Sequence, residues 1–98
     1  MEEPQELQVQ IDIDEAVARG NYVNLAFISH SETEIVMDFI FLQPQSPKSK
    51  VSTRVVTSPI HAKRLLAALK DNIEKYEARF GAIRADPSQT PGKPGYFQ

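Results

Sequence analysis

The sequence contains no cysteine, and its four glycines stand apart at positions 20, 81, 92 and 95. Without cysteine the chain can form no disulfide and no thiolate zinc site, and it has no thiol nucleophile. Because the glycines never cluster between a strand and a helix, no glycine-rich phosphate-binding loop is present. These absences remove the commonest redox, zinc and nucleotide-binding sites, and we expect no metal and no cofactor.

Long hydrophobic runs are missing as well. The longest, from Ile35 to Leu42, is interrupted by Asp38 and is far shorter than the ~20 residues of a membrane-spanning helix. Residues 1–6 are acidic, whereas a secretory signal begins with basic residues before an apolar stretch. The sequence thus predicts a cytoplasmic protein with no membrane segment.

The length of 98 residues suffices for one domain, since domains commonly hold about 100–150 residues. Hydrophobic residues make up 41% and charged residues 24%, which is typical of globular chains. Residues 85–95 contain three prolines and two glycines but no large apolar side chain. We therefore expect a disordered start at 1–5, one folded domain at 6–82 and a flexible Pro/Gly-rich tail at 83–98.

Four segments have the residue pattern of β-strands. From Leu7 to Asp14, apolar residues alternate strictly with polar ones, as in a half-buried strand. Residues 22–30, 35–43 and 50–57 are predicted as the next three strands, separated by polar or proline-containing turns. Between the first two, residues 15–20 are predicted as a short turn or a single helical turn that ends at Gly20. This order predicts an antiparallel β-meander.

The clearest predicted element is a long helix after the strands. Ser58 is a suitable N-cap, Pro59 is tolerated at the first helical position, and Gly81 is a typical helix stop. Apolar residues at steps of three and four form one stripe: Ala62, Leu65, Leu66, Leu69, Ile73, Tyr76 and Phe80. Such a helix is ~33 Å long, enough to lie along a whole strand. The predicted fold class is α+β, a four-stranded antiparallel β-meander followed by one long C-terminal α-helix packed on one sheet face.

The third predicted strand, residues 35–43, is apolar on both of its faces. Asp38 is the single polar break between its two alternating sets of side chains. One helix covers one face of a sheet, so the other face needs a second subunit, another protein or the chain's own connections. We expect a homodimer or a higher homo-oligomer whose interface contains Ile28, Val36, Ile40 and Leu42.

The polar residues of the predicted domain show no catalytic arrangement. Asp38 lies in an apolar strand and should form an ion pair, for which strand adjacency makes Arg54 the nearest candidate. His30 falls in a predicted turn, and His61 falls in the first turn of the helix, where the dipole disfavours an imidazolium. We identify no catalytic residue, and we expect no enzymatic activity.

Charge is distributed unevenly, although the net charge is only -2. Residues 1–40 hold nine acidic residues and one basic residue, whereas residues 48–64 hold five basic residues and no acidic one. The basic set is Lys48, Lys50, Arg54, Lys63 and Arg64. This set could bind a polyanion such as nucleic acid. The strand lacks aromatic residues for base stacking, so a match with the acidic half, within or between subunits, is the simpler interpretation.

Three segments of the sequence carry a resemblance to a known family. They are residues 24–31, residues 37–41 and, above all, residues 58–69 with Asn72, Tyr76, Glu77, Phe80 and Gly81. Over about residues 6–82 the chain resembles a family of small bacterial proteins, the domain-of-unknown-function family thirty-four sixty-seven. The resemblance implies no reaction and no catalytic residue. In topology alone the predicted fold is also similar to the SecB-type export chaperones, which assemble through a four-stranded sheet and a long helix.

Three hypotheses of function follow from the sequence. The first is a non-enzymatic protein-interaction domain that forms a homo-oligomer through an apolar sheet face. The second is a nucleic-acid-associated protein that uses the basic segment 48–64, and the third is a client-binding chaperone of the SecB kind.

Overall fold

Three strands and two helices follow one another along the part of the chain that the computed structural model describes, residues 8–85. Their order is α1 (Glu15–Ala18), β1 (Leu25–His30), β2 (Ile35–Ile40), β3 (Val51–Thr57) and α2 (Pro59–Phe80). The α+β class predicted from the sequence is confirmed. The predicted disordered start at 1–5 and most of the predicted tail at 83–98 lie outside the described residues.

The three strands form one antiparallel sheet in the order β1-β2-β3. Ser31 closes the hairpin between β1 and β2, since its backbone N–H donates to the carbonyl of Glu34 at 2.9 Å. Its hydroxyl also accepts hydrogen bonds from the backbone N–H groups of Thr33 and Glu34. The meander predicted for residues 22–57 is therefore confirmed.

Strands β1 and β2 are shorter than predicted, because a side chain takes over the pairing at one end. The amide of Asn24 donates to the carbonyl of Leu42 at 2.9 Å and accepts from the Leu42 N–H at 2.7 Å. An asparagine side chain can satisfy both backbone groups in this way, so strand pairing stops there. A register shift between Phe39 and Ile40 further interrupts the pairing of β2 with β3.

The first predicted strand, residues 7–14, is not found among the described residues. Residues 8–14 belong to no strand of the sheet, and Val9, Ile11 and Ile13 are 71%, 86% and 65% exposed. Alternation of polar and apolar residues favours extended backbone locally, but a strand also needs an edge with which to form hydrogen bonds. In the described chain this segment pairs with neither edge of the sheet, so the sheet has three strands and not four.

The strand register assigns each side chain to one of two sheet faces. Met37 lies opposite Ile28 and Val55 on one face, which we call the Met37 face. Asp38 lies opposite Phe27 and Arg54 on the other, the Asp38 face. Successive residues of β2 therefore alternate between the two faces as the sequence predicts.

Helix α2 has the predicted ends. The Ser58 hydroxyl accepts a hydrogen bond from the His61 N–H at 3.1 Å, and Pro59 occupies the first helical position. At the other end Gly81 has a φ of 96°, a backbone conformation that residues other than glycine rarely adopt. Its N–H donates to the carbonyl of Glu77 at 2.9 Å and closes the last turn.

The prediction that α2 packs along a whole sheet face is wrong for the described chain. Only its first turns approach the sheet, where α2 and the Met37 face line an open cleft of about 390 Å³. The cleft is lined by Met37, Thr57, His61, Arg64, Leu65 and Ala68. His61, Arg64 and Ala68 are rotated by about a third of a turn from the centre of the apolar stripe, and Leu65 lies at the edge of that stripe, at 3.6 residues per turn. The helix thus presents to the sheet a side other than its most apolar one.

Candidate functional site

An exposed apolar surface runs along α2. We call it the helix stripe and define it as Ala62, Leu66, Leu69, Ile73, Tyr76 and Phe80. The exposed fraction of its five large side chains runs from 39% at Ile73 to 65% at Leu66. Within residues 8–85 the only buried apolar residues are Met37 and Ile40, at 7% and 6% exposure. The large apolar side chains of this helix are therefore mostly exposed, whereas the buried core of the described chain is small.

The aromatic end of the helix stripe is ordered by contacts within the helix. The Tyr76 and Phe80 rings, one helical turn apart, have centroids 4.9 Å from each other. The Arg79 guanidinium lies 5.2 Å from the centre of the Phe80 ring, a cation–π distance. These contacts hold both rings in place while 51% of Tyr76 and 64% of Phe80 stay exposed.

The four predicted interface residues do not form one surface. Ile40 is buried on the Asp38 face, and Val36 and Leu42 are half-buried. Ile28 is 66% exposed, but the register places it opposite Met37 on the other face. The sequence pattern showed that both faces are apolar, but which residues the fold buries depends on contacts between elements.

The Asp38 face contains an ion pair whose carboxylate is buried. The Arg54 guanidinium donates from Nε to Oδ1 of Asp38 at 2.6 Å and from Nη2 to Oδ2 at 2.9 Å. The Asp38 side chain is 4% exposed and that of Arg54 is 54% exposed. The two residues are direct cross-strand partners on β2 and β3, so the partner predicted for Asp38 is confirmed.

This pair stabilises the ionised form of the carboxyl. Hydrogen bonds from Arg54 are the main cause that holds the pKa of Asp38 below its ordinary value, and the positive charge of Arg54 adds to the effect. Burial acts in the opposite direction, because removal of water disfavours a carboxylate. The net result is a structural carboxylate that stays ionised near neutral pH.

The five predicted polyanion-binding residues are all exposed, but they differ in their contacts. Arg54 binds Asp38, and Arg64 lines the cleft between α2 and the sheet. Lys48 and Lys50 lie in the connection before β3, and Lys63 lies in α2. One of the five charges is thus already matched by a carboxylate of the same chain.

Within residues 8–85, neither histidine forms an ion pair with an acidic side chain. His30 ends β1, whereas His61 lines the cleft together with Met37. Asp38 follows Met37 in β2 and points to the other face, so the structure does not bring His61 and Asp38 together. Within residues 8–85, no three histidine or acidic side chains are grouped so that they could hold a metal ion.

The described region contains two helices, α1 and α2. None within residues 8–85 combines the length and the apolar character needed to cross a bilayer. Helix α2 carries eight charged residues, at positions 63, 64, 70, 71, 74, 75, 77 and 79.

Comparison with known proteins gives one match. No curated protein and no solved structure matches the chain significantly, so the resemblance to SecB-type chaperones has no support from a matched structure. A family model described as "Protein of unknown function (DUF3467)" matches residues 1–85. That match covers most of the sequence, and the chain therefore belongs to the DUF3467 family.

Proposed function

We propose that this protein is a non-enzymatic interaction domain that forms a homo-oligomer through the helix stripe. The observation that carries the proposal is the exposure of five large apolar side chains on one side of α2. Contiguous apolar surface of this kind on a small domain is typical of protein–protein contact sites. Full burial of a Leu, Ile or Phe side chain is worth about 1.5–3 kcal/mol, so an uncovered stripe is costly.

A second helix is the partner whose shape suits this surface. The residues of the helix stripe follow one another at steps of four, three, four, three and four. These alternating steps of four and three place two apolar residues in every seven, which is the heptad repeat that keeps one helix in register with another. A flat sheet face as the partner would not need this repeat.

A second copy of the same chain is the simplest source of that helix. Every copy carries the same stripe, and a twofold axis brings identical surfaces together in a closed dimer. The small core of the described chain adds to the argument, because domains of this size often need a partner to complete their burial. Self-association therefore accounts for both the exposed stripe and the small core.

The oligomeric state of the full chain tests this proposal. We expect light scattering to show a dimer or higher oligomer at micromolar concentration, and Leu69→Asp to shift it to monomer. The matched control is Ala67→Asp, which places the same charge on the opposite side of α2 and should leave assembly unchanged. A strict monomer for the unaltered chain across this range would overturn the proposal.

A further inference from the structure

We infer that two copies of the chain pair through their helix stripes in antiparallel orientation, about a twofold axis level with position 71 of α2. This inference rests on the proposed function and gives the geometry of the interface. In such a pair each residue lies beside the partner residue that is equally far from position 71 on the other side. The heptad spacing alone allows parallel pairing too, so side-chain size and charge must decide between the two.

Side-chain size favours the antiparallel arrangement. It places Ala62, the smallest residue of the stripe, beside the partner's Phe80, which is among the largest. Leu66 then lies beside the partner's Tyr76, and Leu69 and Ile73 meet at the centre. Interdigitation of small and large side chains fills an interface to the density of a protein interior.

Parallel pairing would place every residue of the stripe beside its own copy. The two Phe80 rings would then crowd one end of the interface, while the two Ala62 methyl groups would leave a gap at the other. Crowding and cavities each destabilise packed interfaces. The order of sizes along the stripe therefore selects the antiparallel pair.

Charge along one flank of the stripe favours the same arrangement. Lys63, Lys70 and Glu77 lie on this flank at intervals of one heptad. Antiparallel pairing brings Lys63 within about one helical turn of the partner's Glu77, and the twofold axis repeats this contact. In a parallel pair the same two residues would be separated by two heptads, roughly 20 Å along the axis.

Lys70 lies near the centre of this flank and would face the partner's Lys70. This is the one unfavourable contact of the antiparallel pair, because like charges at close range repel. The contact also distinguishes the two orientations. In a parallel pair the flank that holds Lys70 would face the opposite flank of the partner helix, so Lys70 would not face its own copy.

The fold leaves the helix stripe free for this contact. The side of α2 that lines the cleft with the sheet holds His61, Arg64, Leu65 and Ala68. His61, Arg64 and Ala68 lie about a third of a turn from the centre of the stripe, and Leu65 lies between the two sides. Pairing of two helices therefore requires no rearrangement of the contact between α2 and its own sheet.

Disulfide cross-linking of the full chain tests the orientation directly, because the natural sequence has no cysteine that would interfere. Leu69→Cys and Ile73→Cys are prepared separately, mixed and oxidised. We expect the mixture to form cross-linked dimer at least about tenfold faster than either variant alone, because disulfides need Cα atoms within about 7 Å. Equal or faster cross-linking of each variant with itself would show a parallel pair and overturn the inference.

Charge variants provide a second test that leaves the apolar residues untouched. We expect Lys63→Glu to weaken the dimer about tenfold and the double variant Lys63→Glu/Glu77→Lys to regain most of that loss. Lys70→Gln should tighten the dimer, and Arg64→Gln, on the cleft side, is the matched control that should not. If none of the three flank variants changes the affinity of the dimer, the antiparallel geometry is overturned while the proposed function stands. A strictly monomeric chain would overturn both.

Discussion

Arg54 contacts Asp38 through two nitrogen atoms across the β2–β3 pair, at 2.6 and 2.9 Å, on a face where the carboxylate is almost fully buried. The contact satisfies both carboxylate oxygens of Asp38, and a guanidinium is the one side chain that can do so from a single residue. It fixes β3 against β2 where the sheet would otherwise bury an unpaired charge.

Arg54→Met should lower the thermal unfolding midpoint clearly, because Asp38 would remain in the sheet without its partner. Arg54→Lys should restore only part of the loss, since an ammonium cannot form the same two-point contact. The control is Lys75→Met, which removes the exposed pair with Asp71 on α2 and should cost less than about 0.5 kcal/mol. Equal melting curves for the two methionine variants would contradict the structural role of the buried pair.

Acid should destabilise the fold through Asp38. The pKa of this carboxyl is lowered in the folded chain, so its contribution is fully present above the unfolded value of about 3.9. The contribution is lost as the pH falls through the lower, folded pKa, because the unfolded chain binds the proton first. Urea unfolding between about pH 6 and pH 2 should show this loss. Asp38→Asn should be less stable near neutral pH and should show a smaller loss in acid.

Asn24→Ala should destabilise the sheet by about 1 kcal/mol, because two backbone groups of Leu42 lose their partner. Urea unfolding measures the change. The control is Asn72→Ala, since the Asn72 amide donates only to the Ala68 carbonyl on the exposed helix. An unchanged urea midpoint for Asn24→Ala would show that the hydrogen bonds between Asn24 and Leu42 do not stabilise the pairing of β1 with β2.

Met37→Ala should lower the stability of the single chain, whereas Phe80→Ala should mainly weaken its assembly. Met37 is buried in the single chain, so its truncation should cost about 2–5 kcal/mol of folding stability. Phe80 is mostly exposed in the single chain, so its truncation should weaken assembly at low concentration more than it lowers monomer stability. Unfolding curves at several protein concentrations separate the two effects, because only assembly makes stability depend on concentration. The same concentration dependence for both variants would contradict this division.

Ile11→Ser should change the free energy of unfolding of the monomer by less than about 0.5 kcal/mol, because Ile11 is 86% exposed and belongs to no strand of the described sheet. The control is Ile40→Ser, which alters the same residue type at a buried position. A large loss at Ile11, measured at a concentration where the chain is monomeric, would place residues 8–14 in the core after all.

Most elements of the fold were predictable from local signals. Ser58, Pro59 and Gly81 set the ends of α2, since capping and positive φ depend on only a few neighbouring residues. The pairing of Asp38 with Arg54 was predictable too, because a charge in an apolar strand needs a partner on the adjacent strand.

Residues 8–14 show the limit of the same reasoning. Their alternation is as regular as that of any strand in the sequence, yet they pair with nothing in the described chain. Local pattern specifies an extended backbone, whereas strand pairing needs a sheet edge at the correct distance, which the pattern does not contain.

What the sequence by itself determined is the set of local conformations, the alternation of side chains along β2 and the spacing of the helix stripe. Each of these depends on a few consecutive residues and on the fixed periods of helix and strand. Only the tertiary structure decided how α2 is rotated against the sheet, and therefore that His61 and Ala68 line the cleft while Leu69 and Phe80 stay exposed. That rotation depends on packing between distant segments, for which a single helix period carries no information.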